Sequence, residues 1–113
     1  MNGKISSDLL RGHTDTIILH LLSKKDGYGY ELYKAIMEKT GEQFELKEAT
    51  LYASFKRLEN DRHIFSYWGD ESQGGRRKYY QITESGRNLL AQNKTDWLFT
   101  TKIISNLLEE ELT

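Results

Sequence analysis

The side chains best suited to bind a polyanion are concentrated in the middle of the sequence. Residues 47–87 hold 8 basic and 6 acidic side chains, whereas acidic residues outnumber basic ones on either side of that segment. The cations of interest are Lys47, Lys56, Arg57, Arg76, Arg77 and Lys78. Lysine and arginine neutralise phosphates and supply much of the salt-dependent affinity of proteins for nucleic acids. This distribution favours a nucleic-acid partner, although the net charge of -1 argues weakly against one.

Hydroxyl groups accompany the first of these cations. Thr50, Tyr52 and Ser54 can donate hydrogen bonds to phosphate oxygens. Base contacts would come from Lys47, Thr50 and Glu48. A second interpretation stays open, in which the basic stretch is an ordinary solvated face and Tyr52 is an aromatic side chain at the edge of the core.

Candidates for catalysis or metal binding are few. The chain has no cysteine, and His13, His20 and His63 lack further ligands at the spacing that a metal site needs. No nucleophile is paired with a base as covalent catalysis requires. The Gly74-Gly75 pair precedes arginines and a strand rather than a helix, which is a poor pattern for the phosphate-binding loop of an enzyme. We therefore expect no enzyme, no metal and no cofactor.

Three helices are expected to position the first group of cations. Hydrophobic spacing places them over Asp8–Lys25, with Gly12 and Thr14 as a possible later start, over Tyr30–Lys39, and over Lys47–Arg62. Asp26-Gly27 has the composition of a turn, and Gly41 provides a stop. In the third helix Leu51, Phe55 and Leu58 recur at i, i+4 and i+7, so the face that carries Tyr52 and Lys56 should be exposed.

A β-hairpin is expected to position the second group. Ile64–Tyr67 and Lys78–Thr83 are rich in β-branched and aromatic residues, and Gly74-Gly75 lets the intervening tip turn and project. Three helices followed by a hairpin is the element order of a winged helix-turn-helix, in which the third helix enters the major groove and the wing contacts the backbone. The sequence therefore predicts a mainly α (α+β) fold with a two-stranded wing.

A long last helix is expected from Glu84 to the end. Leu90, Trp97 and Ile104 recur every seven residues, and Leu107 and Leu108 complete the stripe. A chain of 113 residues has room for one modest core, so this stripe needs a second copy to cover it. A two-fold dimer would also place two recognition helices about 34 Å apart, one for each successive major groove. The expected interface residues are Leu10, Leu90, Trp97, Ile104 and Leu108, and the expected division is 1–83 for DNA binding and 84–113 for dimerisation.

Three segments carry a resemblance to a known family. Glu48–Tyr52 (EATLY), followed by Lys56–Glu59 (KRLE), resembles the recognition helix of the PadR family of bacterial transcriptional regulators. Ser66–Tyr80 (SYWGDESQGGRRKYY) is similar to the wing of a multidrug-responsive repressor of that family. One departure is that Glu48-Ala49 stands where many members have proline and glycine. The resemblance implies a dimeric repressor of an inverted-repeat operator, with the first helix packed against the last helix of the partner and Gly74 to Lys78 in the wing.

The resemblance also implies a ligand site at the dimer centre. In a helical stripe, tryptophan is more often a packing residue, but Trp97 lies seventeen residues after Tyr80, the spacing of a tryptophan that pairs across the two-fold axis to hold planar aromatic drugs. The implied lining residues are Thr16, His20, Leu90, Lys94, Trp97 and Thr101. Lys94 and Thr101 replace an aromatic and an acidic residue, so the charge of the ligand stays open.

The hydropathy of the sequence bears on its compartment, and its winged-helix pattern allows one alternative function. No apolar run approaches the roughly 18 residues of a membrane span, and we expect a cytoplasmic protein without a membrane partner. The alternative to a DNA-binding regulator is a winged-helix module that binds another protein and no DNA.

Overall fold

The computed structural model describes residues 5, 7–10, 12–44, 46–69 and 76–110, without the side chains of residues 7, 8 and 110. Within these residues the elements are α1 (Ser7–Leu10), α2 (Thr14–Lys24), β1 (Gly27–Tyr28), α3 (Gly29–Lys39), α4 (Glu48–Asn60), β2 (Ile64–Trp68), β3 (Lys78–Ile82) and α5 (Glu84–Glu110). The fold is mostly helical with a small antiparallel sheet and a long C-terminal helix. The predicted winged helix is confirmed.

The predicted first helix is broken near its start. α1 ends at Leu10, and α2 begins at Thr14 after a turn that includes Gly12 and His13. The Leu10 carbonyl accepts hydrogen bonds from the His13 amide at 2.8 Å and from the Thr14 hydroxyl at 3.2 Å. These bonds and the low helix propensity of glycine favour the later start at Thr14 over one continuous helix.

The sheet has one strand more than the sequence predicts. Its order is β1-β3-β2, and β2 pairs with β3 from Ile64 opposite Ile82 to Trp68 opposite Lys78. The additional strand, β1, pairs with β3 through Gly27 opposite Tyr80. The predicted two-stranded wing is confirmed as the pair of β2 and β3. β1 was not predicted, because a strand of two residues is too short to show alternation, and its first residue, Gly27, was assigned to a turn.

The hydrophobic core joins α2, α3, α4, the sheet and the beginning of α5. Its buried members are Ile18, Leu19, Leu22, Leu32, Ile36, Leu46, Leu51, Phe55, Leu58, Ile64, Tyr80, Ile82 and Leu90. The rings of Phe55 on α4 and Tyr80 on β3 stack with centroids 4.3 Å apart and planes 2° from parallel. This contact fixes α4 against the wing. Because Leu90 belongs to the same core, that core extends past the expected division after residue 83.

α5 leaves the core and continues as an exposed arm. Gly86 lies so close to the His63 carbonyl that a Cβ atom there would overlap it. One turn before Trp97, the Asn93 side-chain amide donates a 2.9 Å hydrogen bond to the Thr16 hydroxyl on α2. From residue 97 to 108 the large apolar side chains are exposed, namely Trp97, Leu98, Phe99, Ile103, Ile104, Leu107 and Leu108. We call this segment the arm.

Candidate nucleic-acid interface

The exposed side of α4 carries most of the predicted DNA contacts. Lys47 stands in extended conformation just before the helix, and its carbonyl accepts the Leu51 amide at 3.1 Å. Thr50, Tyr52 and Lys56 are exposed, while Leu51 and Leu58 on the other side are buried. The core therefore sets the rotation of α4 and leaves a basic, hydroxyl-bearing face to solvent.

Ser54 is on the wrong side of α4 for a DNA contact. Its side chain is buried with the core residues, and its oxygen accepts a 3.1 Å hydrogen bond from Arg57 Nη2. The prediction that Ser54 contacts DNA was therefore wrong. Its position three residues after Leu51 and four before Leu58 places it on the buried face.

Arg57 is engaged within the protein. Its Nε donates to Asp15 Oδ2 at 3.1 Å, and its Nη2 donates to Asp15 Oδ1 at 2.6 Å. These hydrogen bonds and the charge of Asp15 raise the pKa of Arg57. Arg57 therefore connects α4 to α2 through Asp15. This role was not expected, because the sequence indicated a cation that contacts phosphate.

The predicted cations of the wing lie against aromatic rings. The guanidinium of Arg76 lies 4.9 Å from the ring centroid of Trp68, and that of Arg77 lies 4.7 Å from that of Tyr28. A guanidinium at this distance over an aromatic face is attracted by the ring quadrupole, which favours its position beside the ring. Gly74 and Gly75 lie outside the described residues.

Glu59 organises the base of the wing, and the sequence analysis did not single it out. Its Oε2 accepts a 2.6 Å hydrogen bond from the Ser66 hydroxyl on β2. Its Oε1 lies 3.7 Å from Lys78 Nζ on β3, and that nitrogen also lies 5.7 Å from the ring centroid of Tyr80. The carboxylate therefore connects the last turn of α4 to both strands of the hairpin.

A groove lies between the start of α3, the middle of α4 and the base of the wing. It has a volume of about 590 Å³ and is lined by Tyr28, Gly29, Tyr30, Tyr52, Arg77, Lys78 and Tyr80. We call it the tyrosine groove. Gly29 leaves room for the Tyr52 ring, because a Cβ atom there would lie 2.5 Å from the Tyr52 hydroxyl oxygen and would displace that side chain. Tyr52, Arg77 and Lys78 were predicted site residues. Tyr28 of β1 and Tyr30 of α3 were not, because residues far apart in the chain form this surface.

The residues predicted to bind an aromatic ligand are divided between α2 and α5. The Trp97 indole is half exposed and meets the His13 ring edge-on, with centroids 4.8 Å apart and planes at 77°. Thr16 is bonded to Asn93, and Thr101 is exposed. The pKa of His20 is lowered, first by burial and then by the charge of Lys94. The structure brings these groups to one side of α5.

Two expected interface residues are buried within their own protomer. Leu90 is only 6% exposed and belongs to the core, so neither a partner nor a ligand can reach it. Leu10 is 5% exposed. The Leu90 assignment was wrong, since the seven-residue repeat that links Leu90 to Trp97 crosses from the core into the arm without a change in the sequence pattern. The Leu10 assignment was wrong because that side chain is buried within the protomer at the end of α1. Trp97, Ile104 and Leu108 are exposed as expected.

The described residues contain neither a membrane-spanning helix nor a cluster of metal ligands. None of the helices there is long and apolar enough to cross a membrane. The same part of the chain has no group of three histidine, cysteine, aspartate or glutamate residues that could hold a metal ion.

Comparison with known proteins decides the family. The model of the transcriptional regulator PadR-like family matches residues 18–92, from α2 to the beginning of α5. This chain belongs to the PadR-like family. The matched residues of this PadR-family regulator include α4 and the described part of the wing but end before the arm. Members of this family are DNA-binding transcriptional regulators, which are generally not enzymes.

Two solved structures of transcriptional regulators and one further sequence are similar over nearly the whole chain. A transcriptional regulator from Clostridium thermocellum is 48% identical with a TM-score of 0.83, covering 90% of this chain and 96% of that one. A PadR family transcription regulator from Clostridium difficile is 42% identical with a TM-score of 0.75, covering 86% of this chain and 99% of that one. An uncharacterized protein of Lysinibacillus sphaericus is 47% identical over 105 residues, which cover 93% of this chain and 96% of that protein.

Proposed function

We propose that this PadR-family regulator is a homodimeric repressor that binds an inverted-repeat operator in the cytoplasm. The observation that supports it best is the arrangement of α4. Its inner face is held in the core, while Lys47, Thr50 and Lys56 stand on the exposed face next to a wing that carries Arg76 and Arg77. In this proposal α4 enters the major groove, and the wing arginines contact the flanking backbone.

The arm is the proposed dimerisation segment. Trp97, Ile104 and Leu108 follow one another at i, i+7 and i+11 along one side of α5, and all three are exposed. Large apolar side chains in such a row are typical of a helix that pairs with another helix. The same segment of a second copy is the proposed partner. The proposed division of the chain after residue 83 then separates two functions, DNA binding and dimerisation. It does not separate two structural domains, since Leu90 anchors α5 in the core.

A planar aromatic ligand is the proposed signal, as in the multidrug-responsive member of the family. Two Trp97 indoles, one from each copy, would face each other near the two-fold axis and stack on a flat ring system. Thr16, His20, Lys94 and Thr101 would form the polar rim. A ligand that binds the DNA-incompetent arrangement more tightly would release the operator, with a coupling of about 1 to 3 kcal/mol.

DNA binding is tested by selecting bound sequences from a random pool and then titrating salt. We expect a palindrome with half-sites one helical turn apart, and an affinity that falls steeply as salt rises. Arg76→Ala should flatten the slope of log affinity against log salt by about one. Arg87→Ala on α5 is the matched control for loss of one charge and should leave the slope unchanged. Absent or salt-insensitive binding would contradict the proposal and favour the protein-interaction module.

The ligand site is tested with two planar dyes of opposite charge, proflavine and anilinonaphthalene sulfonate. The chain has 2 tryptophans, so Trp68→Phe leaves Trp97 as the indole whose fluorescence a bound dye quenches. We expect Trp97→Ala to lose dye binding while the protein remains dimeric. Unchanged dye affinity in a dimeric Trp97→Ala variant would rule out the indole site.

A further inference from the structure

We propose that the tyrosine groove holds one phosphate of the operator backbone together with its adjoining sugar. This inference rests on the proposed DNA binding and extends the DNA surface beyond α4 and the wing tip to Tyr28 and Tyr30. The groove lies directly beside the exposed face of α4, because Tyr52 belongs to both. Its volume of about 590 Å³ is sufficient for a group of that size.

The charges around the groove favour an anionic occupant. Two cations, Arg77 and Lys78, are among its lining residues, and none of those residues is acidic. Of the neighbouring carboxylates, Asp26 accepts the Tyr67 hydroxyl at 2.6 Å, and Glu31 lies 3.8 Å from Lys25 Nζ. Glu59 accepts from Ser66 and also lies 3.7 Å from Lys78 Nζ, so it offsets part of that charge and leaves Arg77 as the principal cation of the groove.

The tyrosines of the groove offer hydrogen-bond donors and do not enclose an apolar pocket. Within the described residues, the hydroxyls of Tyr28, Tyr30 and Tyr52 make no hydrogen bond to another protein group. Each can donate a hydrogen bond to a phosphate oxygen. Burial raises the pKa of Tyr80, whose stacked ring forms part of the groove wall, so this phenol keeps its proton.

The open shape of the groove favours a segment of a polymer over a small ligand. Tyr30 is 55% exposed and Tyr52 is 45% exposed, so an occupant would remain largely in contact with solvent. Small-molecule sites enclose roughly 70–90% of their ligand's surface. A backbone phosphate instead requires donors on one side only, because the rest of the duplex covers the other. The guanidinium of Arg77 lies over the ring of Tyr28, so the cation and the Tyr28 hydroxyl are offered to the occupant side by side.

The first test compares Tyr30→Phe with Tyr33→Phe in the full-length protein. Tyr30 and Tyr33 form a pair of stacked rings with centroids 6.4 Å apart, and each change removes one phenol oxygen from that pair. Of the two, Tyr30 alone lines the groove. We expect Tyr30→Phe to weaken binding to the operator and to random DNA by the same factor, roughly three- to tenfold, with no change in salt slope. Arg77→Gln should weaken binding and lower the slope by about one.

The second test locates the phosphate by ethylation interference. Ethylation of one phosphate in each half-site should weaken binding of the wild type, whereas the Tyr30→Phe Arg77→Gln double variant should tolerate it. The inference is overturned if Tyr30→Phe behaves like Tyr33→Phe, or if the double variant keeps the wild-type interference pattern. Either result leaves DNA binding by the wild type intact and so differs from failure of the proposed function, in which the wild type binds no DNA.

Discussion

Arg57 on α4 and Asp15 on α2 are joined by two hydrogen bonds, Nε to Oδ2 at 3.1 Å and Nη2 to Oδ1 at 2.6 Å. The two side chains are 52% and 26% exposed, so solvent screens the pair in part. Because residues 15 and 57 lie on different helices, this contact links α4 to α2 and adds to the core packing that holds α4 in place.

Separation of this pair should affect stability more than DNA binding. We expect Asp15→Asn and Arg57→Gln each to lower the free energy of unfolding by about 1 kcal/mol and to be non-additive in a double-mutant cycle. Urea unfolding measures both effects. The salt slope of operator binding should stay as in the wild type for Arg57→Gln. A slope reduced by one would instead identify Arg57 as a phosphate contact.

Gly86 should be intolerant of any side chain. A Cβ atom there would overlap the His63 carbonyl oxygen, a backbone atom that cannot move without disturbing the turn before β2. We expect Gly86→Ala to lower the free energy of unfolding by about 2 kcal/mol. Gly12→Ala is the matched control, since nothing lies within 4 Å of the added atom. Equal stabilities of the two variants would show that α5 shifts freely against the sheet.

Dimerisation through the arm predicts a strong effect of a charge at Leu108. Its side chain is 63% exposed, so Leu108→Glu should not disturb the protomer. In a paired arm it would place two carboxylates in an apolar contact, which is strongly unfavourable. Sedimentation at micromolar concentration should show a dimer for the wild type and for Asn106→Glu, which lies away from the stripe, and a monomer for Leu108→Glu. A monomeric wild type would contradict the dimer.

His20 should make the fold less stable in mild acid. Its pKa is lowered by burial and by the charges of Lys94 on α5, Lys24 on α2 and Lys39 on α3. The unfolded chain then binds a proton more readily than the native one, so this contribution is favourable above the unfolded pKa of about 6.5 and is lost as the pH falls through the lower native value.

The measurement for His20 is urea unfolding between pH 7.5 and 5. His20→Gln should remove part of the acid-induced loss of stability seen in the wild type. Lys94→Gln should reduce that loss because it removes the neighbouring charge that lowers the pKa of His20 most. If the histidine variant and the wild type lose stability in parallel, other groups cause the acid sensitivity.

Local patterns were sufficient for the helices and the hairpin but not for the surfaces between them. The positions of Leu51, Phe55 and Leu58 determined the exposed face of α4, and the same spacing, applied to Ser54, would have assigned that residue to the core. The two residues of β1 were too few for any periodic signal. The tyrosine groove had no signal either, since Tyr30, Tyr52 and Tyr80 meet only through the packing of α3, α4 and β3.

The repeat in α5 shows a different limit of sequence information. Leu90 and Trp97 occupy equivalent positions on one helix face, yet the first is in the core and the second is half exposed. Spacing along a helix identifies the residues that share a face, but the point at which neighbouring elements cease to cover that face depends on tertiary packing.

The coplanar contact between Phe55 and Tyr80 has a consequence for regulation. It joins the recognition helix and the sheet into one rigid unit, so the surface presented to the duplex is the same whenever the domain is folded. In the proposed dimer, a signal that alters operator affinity would then act on the spacing or tilt between the two DNA-binding domains, and mutations that decouple the signal from DNA release should map to α5, which connects them.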